Sequence, residues 1–369
     1  AQKQMKKISL SNTKSLYLSG IICSLFCGIL LSCSEDNTDK LESSKGILFI
    51  PSIQESWLQS GRSATSQTTN NNHVSILYKE GQKALYLHTI YSDRNNANPF
   101  SLQNDKTQTR NTPVTGSNMY ASFGVSAFCY TDQWNENKTP NYIYDATVQK
   151  TGNAYALPSM YYWPGASYKL KFFAYAPQRD AAYTLSGAGT PGSPTIHALI
   201  PASVNDQKDL LVASTGEYSG NSAAAVPLAF KHPLTAIRFA CGENVSTGKL
   251  VKVSLKNVYT EGTYNMGTEQ WTLTNATGSF EQLLNKNITG TNNEEITTSS
   301  QTFMMLPQTL PANAQIEIVF EDQSGQTTLT SSIGGKTWPM GKTVTYKISM
   351  DDKIIIETNL GNFTDGGEI

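Results

Sequence analysis

The residues with the clearest chemistry lie near the start of the chain. Cys33 closes the run Leu30-Leu31-Ser32-Cys33, where a thiol behind a small residue can take a diacylglycerol through a thioether and become the new N-terminus once the bond before it is cut. Ahead of it Lys6, Lys7 and Lys14 form a basic region, and Leu16 to Leu31 is almost wholly apolar. That is the build of a secretory signal peptide. The apolar run is about sixteen residues, short of the roughly 20 that a membrane-spanning helix needs. A lipoprotein signal over residues 1–32 is therefore expected, with Met5 as its start and acylation at Cys33. The following Ser34-Glu35-Asp36-Asn37 resembles a short acidic signal for the outer face of an outer membrane; its alternative is a plain acidic tether over residues 33–45.

Elsewhere the reactive side chains are dispersed. His73, His88, His197 and His232 offer no pair at metal-ligand spacing. Asp145, Asp180, Asp206 and Asp209 show neither paired carboxylates nor a nucleophile beside a base, and there is no Gly-rich phosphate loop. No catalytic residue, metal or cofactor is expected, and the chain reads as a non-enzyme. A net charge of −1 gives no electrostatic footprint for nucleic acid. Beyond the signal region and its closing cysteine only Cys129 and Cys241 remain. They lie in different halves of the chain and share strand faces with Phe123, Val125 and Ala127, and with Ile237 and Phe239, so they read as small core residues rather than a disulfide.

Whatever the chain does must be carried by strands. Val251, Val253 and Leu255 alternate with Lys252, Ser254 and Lys256; Ile316, Ile318 and Phe320 alternate with Gln315, Glu317 and Val319; Val344, Tyr346, Ile348 and Met350 alternate with Thr343, Thr345, Lys347 and Ser349. A period of two means one buried and one wet face. Further strands are expected at Ile47 to Ile53, Ala84 to Tyr91, Phe123 to Tyr130, Tyr168 to Ala176 and Leu228 to Cys241, with Pro, Gly, Asn and Ser clusters such as Gly187 to Pro194 between them as loops. Pro233 should break the Leu228–Cys241 ladder by a bulge or a strand switch, with His232 a hydrogen-bonded, partly buried histidine at the break. Many short strands with such breaks predict an all-β chain of antiparallel sandwiches. The length suits two domains, placed at 46–220 and 221–369 because Gly216 to Ala225 is small and polar. Trp163 and Trp338, each followed by Pro, are expected at strand entries on the core, the alternative being a sugar-stacking platform near Met160-Tyr161-Tyr162.

Taken together, Trp163-Pro164, LKFFAYAP (170–177), DLLVA (209–213), VPLAFKHPLTAIRF (226–239), MMLPQTLP (304–311), WPMG (338–341) and Thr345-Tyr346-Lys347-Ile348 resemble the Bacteroidales fimbrillin family, in order and spacing over most of the mature chain. The resemblance implies two transthyretin-like antiparallel β-sandwich domains, a lipoprotein precursor held in the outer membrane by acyl chains on Cys33, and assembly with neighbouring fimbrial subunits into a type V pilus that supports adhesion to host or bacterial surfaces. The competing reading is a surface glycan-binding lipoprotein that keeps its lipid anchor.

The same resemblance implies donor-strand exchange: a first strand fills a groove, a protease removes it, and a strand of the next subunit replaces it. The matching segment here is Ile47 to Ile53. Ile47, Phe49, Pro51 and Ile53 share one face and Leu48, Ile50 and Ser52 the other, and the apolar composition leads us to expect burial on both sides, with Ile47, Phe49, Ile50 and Ile53 filling the groove. The processing site is expected at Arg62-Ser63, an arginine among small residues ahead of a Thr, Asn and Gln-rich stretch; Arg110 is the second choice. The chain's last apolar segment, with Ile354, Ile356, Leu360 and Phe363, is either the final strand of its own domain or the donor.

Overall fold

Residues that alternate between apolar and polar cannot bury one face without a second layer, so strands of this kind stack in pairs of sheets. In the computed structural model, which describes residues 46–54, 73–77, 85–93, 113–114, 119–152, 154–323 and 325–349, that is the outcome. Among the described residues there is no α-helix; two short 3-10 turns occur at Val204–Asp206 and Ser299–Gln301.

The first sheet has eight strands. Its path runs β10 (Leu211–Ser214), β7 (Lys169–Ala176), β4 (Ser122–Tyr130), β5 (Ile143–Thr151), β6 (Ala154–Ala156), β1 (Leu48–Ile53) and β12 (Val226–Phe230), and β11 (Tyr218–Ser219) pairs with β7 off that path. The sheet then curls back on itself. Lys231, directly after β12, exchanges both backbone hydrogen bonds with Val212 of β10, at 2.8 and 3.0 Å, so the wall closes around a core that includes Phe49, Phe123, Val125, Phe172, Leu211, Leu228 and Phe230.

A second pair of sheets forms the rest. One runs β18 (Phe303–Met305), β13 (Thr235–Cys241), β23 (Lys342–Ser349), β3 (Leu85–Asp93) and β2 (His73–Leu77); the other runs β17 (Thr277–Ile288), β14 (Gly248–Tyr259), β20 (Gln315–Asp322) and β21 (Gly325–Ser332). Both send side chains into one core with Phe239, Val253, Leu255, Phe303, Ile316, Ile318 and Tyr346. There the Trp338 Nε1 donates to the Tyr346 hydroxyl at 2.9 Å. A four-stranded sheet, β16 (Gln270–Leu273), β15 (Glu261–Asn265), β9 (Thr195–Leu199) and β8 (Tyr183–Leu185), and the pair β19 (Gln308–Thr309) with β22 (Thr337–Trp338) complete the set.

All the expected strands whose residues are described are present, with two differences in how they run. Leu228 to Cys241 is not one strand: β12 ends at Phe230, and the chain crosses at Lys231 to Leu234 into β13 of another sheet. Pro233 lacks the N–H a continuing ladder would need, and the break it causes is a switch of sheet. The ladders are antiparallel except β1 with β12 and β13 with β23, which are parallel. Each of those pairs joins strands far apart in sequence, where no tight hairpin imposes the antiparallel sense.

Three sheets span the expected division at 220/221, one of them by pairing β8 and β9 with β15 and β16. β12 lies with β1 in the first sheet, while β2 and β3 lie with β23. Gly216 to Ala225, read from sequence as a linker, contains β11, and Gly220 packs so closely that an added Cβ would meet the Gly165 carbonyl oxygen at 2.3 Å.

Candidate strand-acceptance site

β1 is built into the wall of the first core. The Ile47 N–H donates to the Tyr161 carbonyl at 2.8 Å, and Leu48 and Phe49 stand opposite Ala156 and Tyr155 of β6. On its other side β1 runs parallel to β12 for five pairs, from Phe49 opposite Val226 to Ile53 opposite Phe230, and the Gln54 N–H donates to the Phe230 carbonyl at 2.8 Å. β12 alternates buried and exposed residues, with Val226, Leu228 and Phe230 inward.

Inward, Phe49 of β1 and Ile47 directly before it are both buried. The Phe49 ring meets Phe123 and Phe172 edge-on at 6.3 and 5.8 Å, and Phe123 meets Phe230 at 5.2 Å. Burying side chains of this size stabilises by roughly 1.5–3 kcal/mol each. Outward the strand is bare: Leu48 is 42% and Ile50 57% exposed. This corrects the expectation that β1 is buried on both sides and that Ile50 fills the groove. A strand in a closed wall has one face on the core, and no described element covers the outside of this one. Ile53 is half-buried.

Remove β1 and the consequences follow from geometry. β12 would keep its Lys231 link to β10 but lose every partner along Val226–Phe230, and the pocket of Phe123, Phe172 and Phe230 would open. A row of unpaired backbone groups beside an apolar slot is costly to leave in water or to bury unpaired. An extended strand with one apolar face has the hydrogen-bonding groups and side chains that would fill such a gap.

Cys33, Arg62, Ser63, Arg110, Ile354, Ile356, Leu360 and Phe363 lie outside the described residues. Among the described residues no helix is long and apolar enough to cross a membrane, and no group of three or more His, Cys, Asp or Glu could hold a metal ion.

The four dispersed aspartates are used structurally or stand apart. Asp145, at φ 43°, accepts from the Tyr175 hydroxyl at 2.9 Å and from Arg179 Nε at 2.7 Å. Asp180 pairs with Lys208, and Asp206 sits in a 3-10 turn. Asp209 is fully buried, accepts from the Val114 N–H at 3.0 Å, and lies 2.9 Å from Nδ1 of His232. His232 is thus more deeply buried than expected, and its ring N–H does not line up with the carboxylate for a hydrogen bond. Sequence reasoning missed this pairing, because 23 positions separate two residues that only the β10–β12 closure joins. Trp163 and Trp338 are both buried on the core as expected, so neither offers an open ring face, but neither is a strand entry: Trp163 lies outside the strands and Trp338 ends β22; Met160 and Tyr162 do reach the surface. Cys241 is fully buried and Cys129 half-buried, both free. Burial raises both thiols above their ordinary range, Cys241 to about 12, which keeps them protonated and unreactive.

A family model described as fimbrillin-like matches residues 107–362. Fimbrium subunit Fim1C of Phocaeicola vulgatus is 28% identical over 194 residues, a match that covers 44% of this chain and 51% of that protein, so the chain spans about half the length of this curated relative. A crystal structure of a fimbrial protein from Bacteroides vulgatus is similar over 62% of this chain and 91% of its own, at 20% identity and a TM-score of 0.46.

Proposed function

This chain belongs to the fimbrillin-like family, a non-enzymatic class of fimbrial structural subunits, and from that premise we propose that it polymerises by exchanging β1 for a strand of a neighbouring subunit. The observation that supports this reading is the place of β1: the chain's first described strand and the residue before it supply Phe49 and Ile47 to a core that β12 and β6 cannot close without them. In this scheme the precursor is exported, acylated at Cys33 and displayed on the outer membrane, where two buried acyl chains hold it. A protease cuts between Arg62 and Ser63. The freed β1 leaves and a donor enters parallel to β12, trading one buried strand for another.

The one-faced groove restricts the donor. In an unbroken strand Ile354, Ile356 and Leu360 share a face, whereas Phe363 points the other way. A donor from the C-terminal segment would therefore seat the first three inward and leave Phe363 outside.

The decisive experiment combines the N-terminus of surface-recovered protein with an Arg62→Ala variant. Fimbriae should begin at Ser63 and precursor at an acylated Cys33, and the variant should remain a self-complemented monomer while wild type forms ladders resistant to detergent without heating. Equal ladders from Arg62→Ala sink the processing step. A lipid still attached to the assembled form would instead favour a permanently anchored surface lipoprotein.

A further inference from the structure

The sheet order places a piece of the N-terminal half on the edge of the second sandwich. β3 runs antiparallel to β23 for eight pairs, from Asp93 opposite Lys342 to Tyr86 opposite Ser349. β2 folds back on β3 for five pairs and lies against β21 of the facing sheet. Leu87, opposite Ile348, is fully buried in the same core as Phe239 and Tyr346, and His88 and Thr89 beside it are buried too. Without this hairpin the sheet would keep β18, β13 and β23 against four facing strands. β23 would be bare along its whole outer edge, and β21 would lose the strand that lies against it. The family match begins at residue 107, so it includes β23 but not the strands that cover it.

An open edge of eight residues is a template for another strand, and the occupant with demonstrated fit is the hairpin itself. Any surface that accepts this hairpin within one chain accepts it equally from an identical chain; the choice depends on tether and concentration. On the C-terminal side the tether is residues 94–112, about 19 residues that reach at most ~65 Å when extended, at ~3.3–3.6 Å each. That is enough to reach a touching neighbour. On the N-terminal side residues 54–72 tie the hairpin to β1.

We propose that the β2–β3 hairpin, His73–Asp93, is an exchangeable arm that covers β23 of its own chain in the monomer and β23 of a second copy in assemblies. The β23 edge is then a second strand-accepting surface, separate from the groove that β1 fills. If the chain is cut at Arg62, the arm becomes the N-terminal element and loses one of its two tethers, which favours exchange. That step alone rests on the processing reading above; the exchange itself does not.

Directly opposite residues of an antiparallel ladder have Cα atoms about 4.5–5.5 Å apart, inside the 4.4–6.8 Å window of a disulfide. Ile90 and Thr345 are such a pair. In full chains whose native cysteines are replaced by Ala, a double variant with Ile90→Cys and Thr345→Cys should close a disulfide within one chain on oxidation. The two single variants, unfolded and refolded together and then oxidised, should give an intermolecular disulfide joining positions 90 and 345, identified by peptide mass, in a fraction that rises with protein concentration. A double variant that closes while the mixed single variants never link at any concentration overturns the exchange. A folded double variant that fails to close overturns the seating of β3 on β23. Ladders from the same mixture without a 90–345 link overturn this arm and leave β1 exchange standing.

Discussion

Asp209 and His232 show what a single contact does in this fold. Each comes from a separate sequence motif, both are buried, and they meet where β12 stops pairing with β1 and Lys231 locks onto β10. Asp209 also holds the Val114 N–H, so removing its carboxylate orphans a buried backbone donor and opens space beside the buried His232 ring. Leaving a buried donor unpaired by deleting its acceptor costs on the order of 1–3 kcal/mol. Asp209→Ala should therefore lower stability to chemical denaturation by about that much, and His232→Ala by less, because it leaves the Val114 bond intact. A loss below about 1 kcal/mol for Asp209→Ala would show that the seam does not depend on the pair. The same seam is the far wall of the groove, so the variant should also weaken retention of β1.

At the scale of the element, β1 has two faces with opposite duties. Phe49 is wedged edge-on between Phe123 and Phe172, while Ile50 next to it stands 57% exposed. Truncating a buried phenylalanine costs about 3–5 kcal/mol, whereas an exposed substitution usually stays within about 0.5 kcal/mol. In the uncut protein Phe49→Ala should shift the denaturation midpoint strongly and Ile50→Ala hardly at all. If the proposed exchange replaces β1, Phe49→Ala should no longer matter to the assembled subunit. Equal effects of the two substitutions on the uncut protein would mean that β1 does not occupy the wall as described. The side chains that define the slot, Val226, Leu228 and Phe230 on β12 with Phe123 on β4 and Phe172 on β7, also define what a donor must present: one apolar face of alternating residues.

Over the whole molecule, the two halves read from sequence are laced together. β12 reaches back to β1, the β2–β3 hairpin reaches forward to β23, and β9 pairs with β15. The division at 220/221 is our proposal for the domain boundary, and the exposed Asn221, Ala223 and Ala224 make it testable by limited proteolysis. Cutting should occur between Gly216 and Ala225, preferentially after the hydrogen-bonded Gly220. The two fragments should separate on a denaturing gel yet elute together from a native column, because three ladders cross the cut. Cutting confined to other loops would count against the boundary, and fragments that part without denaturant would count against the lacing.

Alternation along the chain determined the strand class, and Pro233 determined that the ladder breaks beside it, because side-chain period and a missing N–H are local properties. The composition and the scatter of His and Asp gave no reason to expect an enzyme, and the family match carries that reading. Motif order was enough to recognise the family. Other matters were decided only by tertiary structure. Strand pairing joins residues nearly two hundred positions apart, as in Phe49 opposite Val226, and more than two hundred and fifty in Leu87 opposite Ile348, and no local pattern encodes which edge a strand will find. The exposure of Ile50 is the sharpest case: Leu48, Ile50 and Ile53 are equally apolar as letters, and which of them is buried depends on the closure of a wall whose other strands lie far along the chain. The hairpin on β23 and the His232–Asp209 contact were hidden for the same reason. Side-chain chemistry is written residue by residue, but burial is a property of the neighbours, and in a β fold of this connectivity the neighbours come from the opposite end of the sequence.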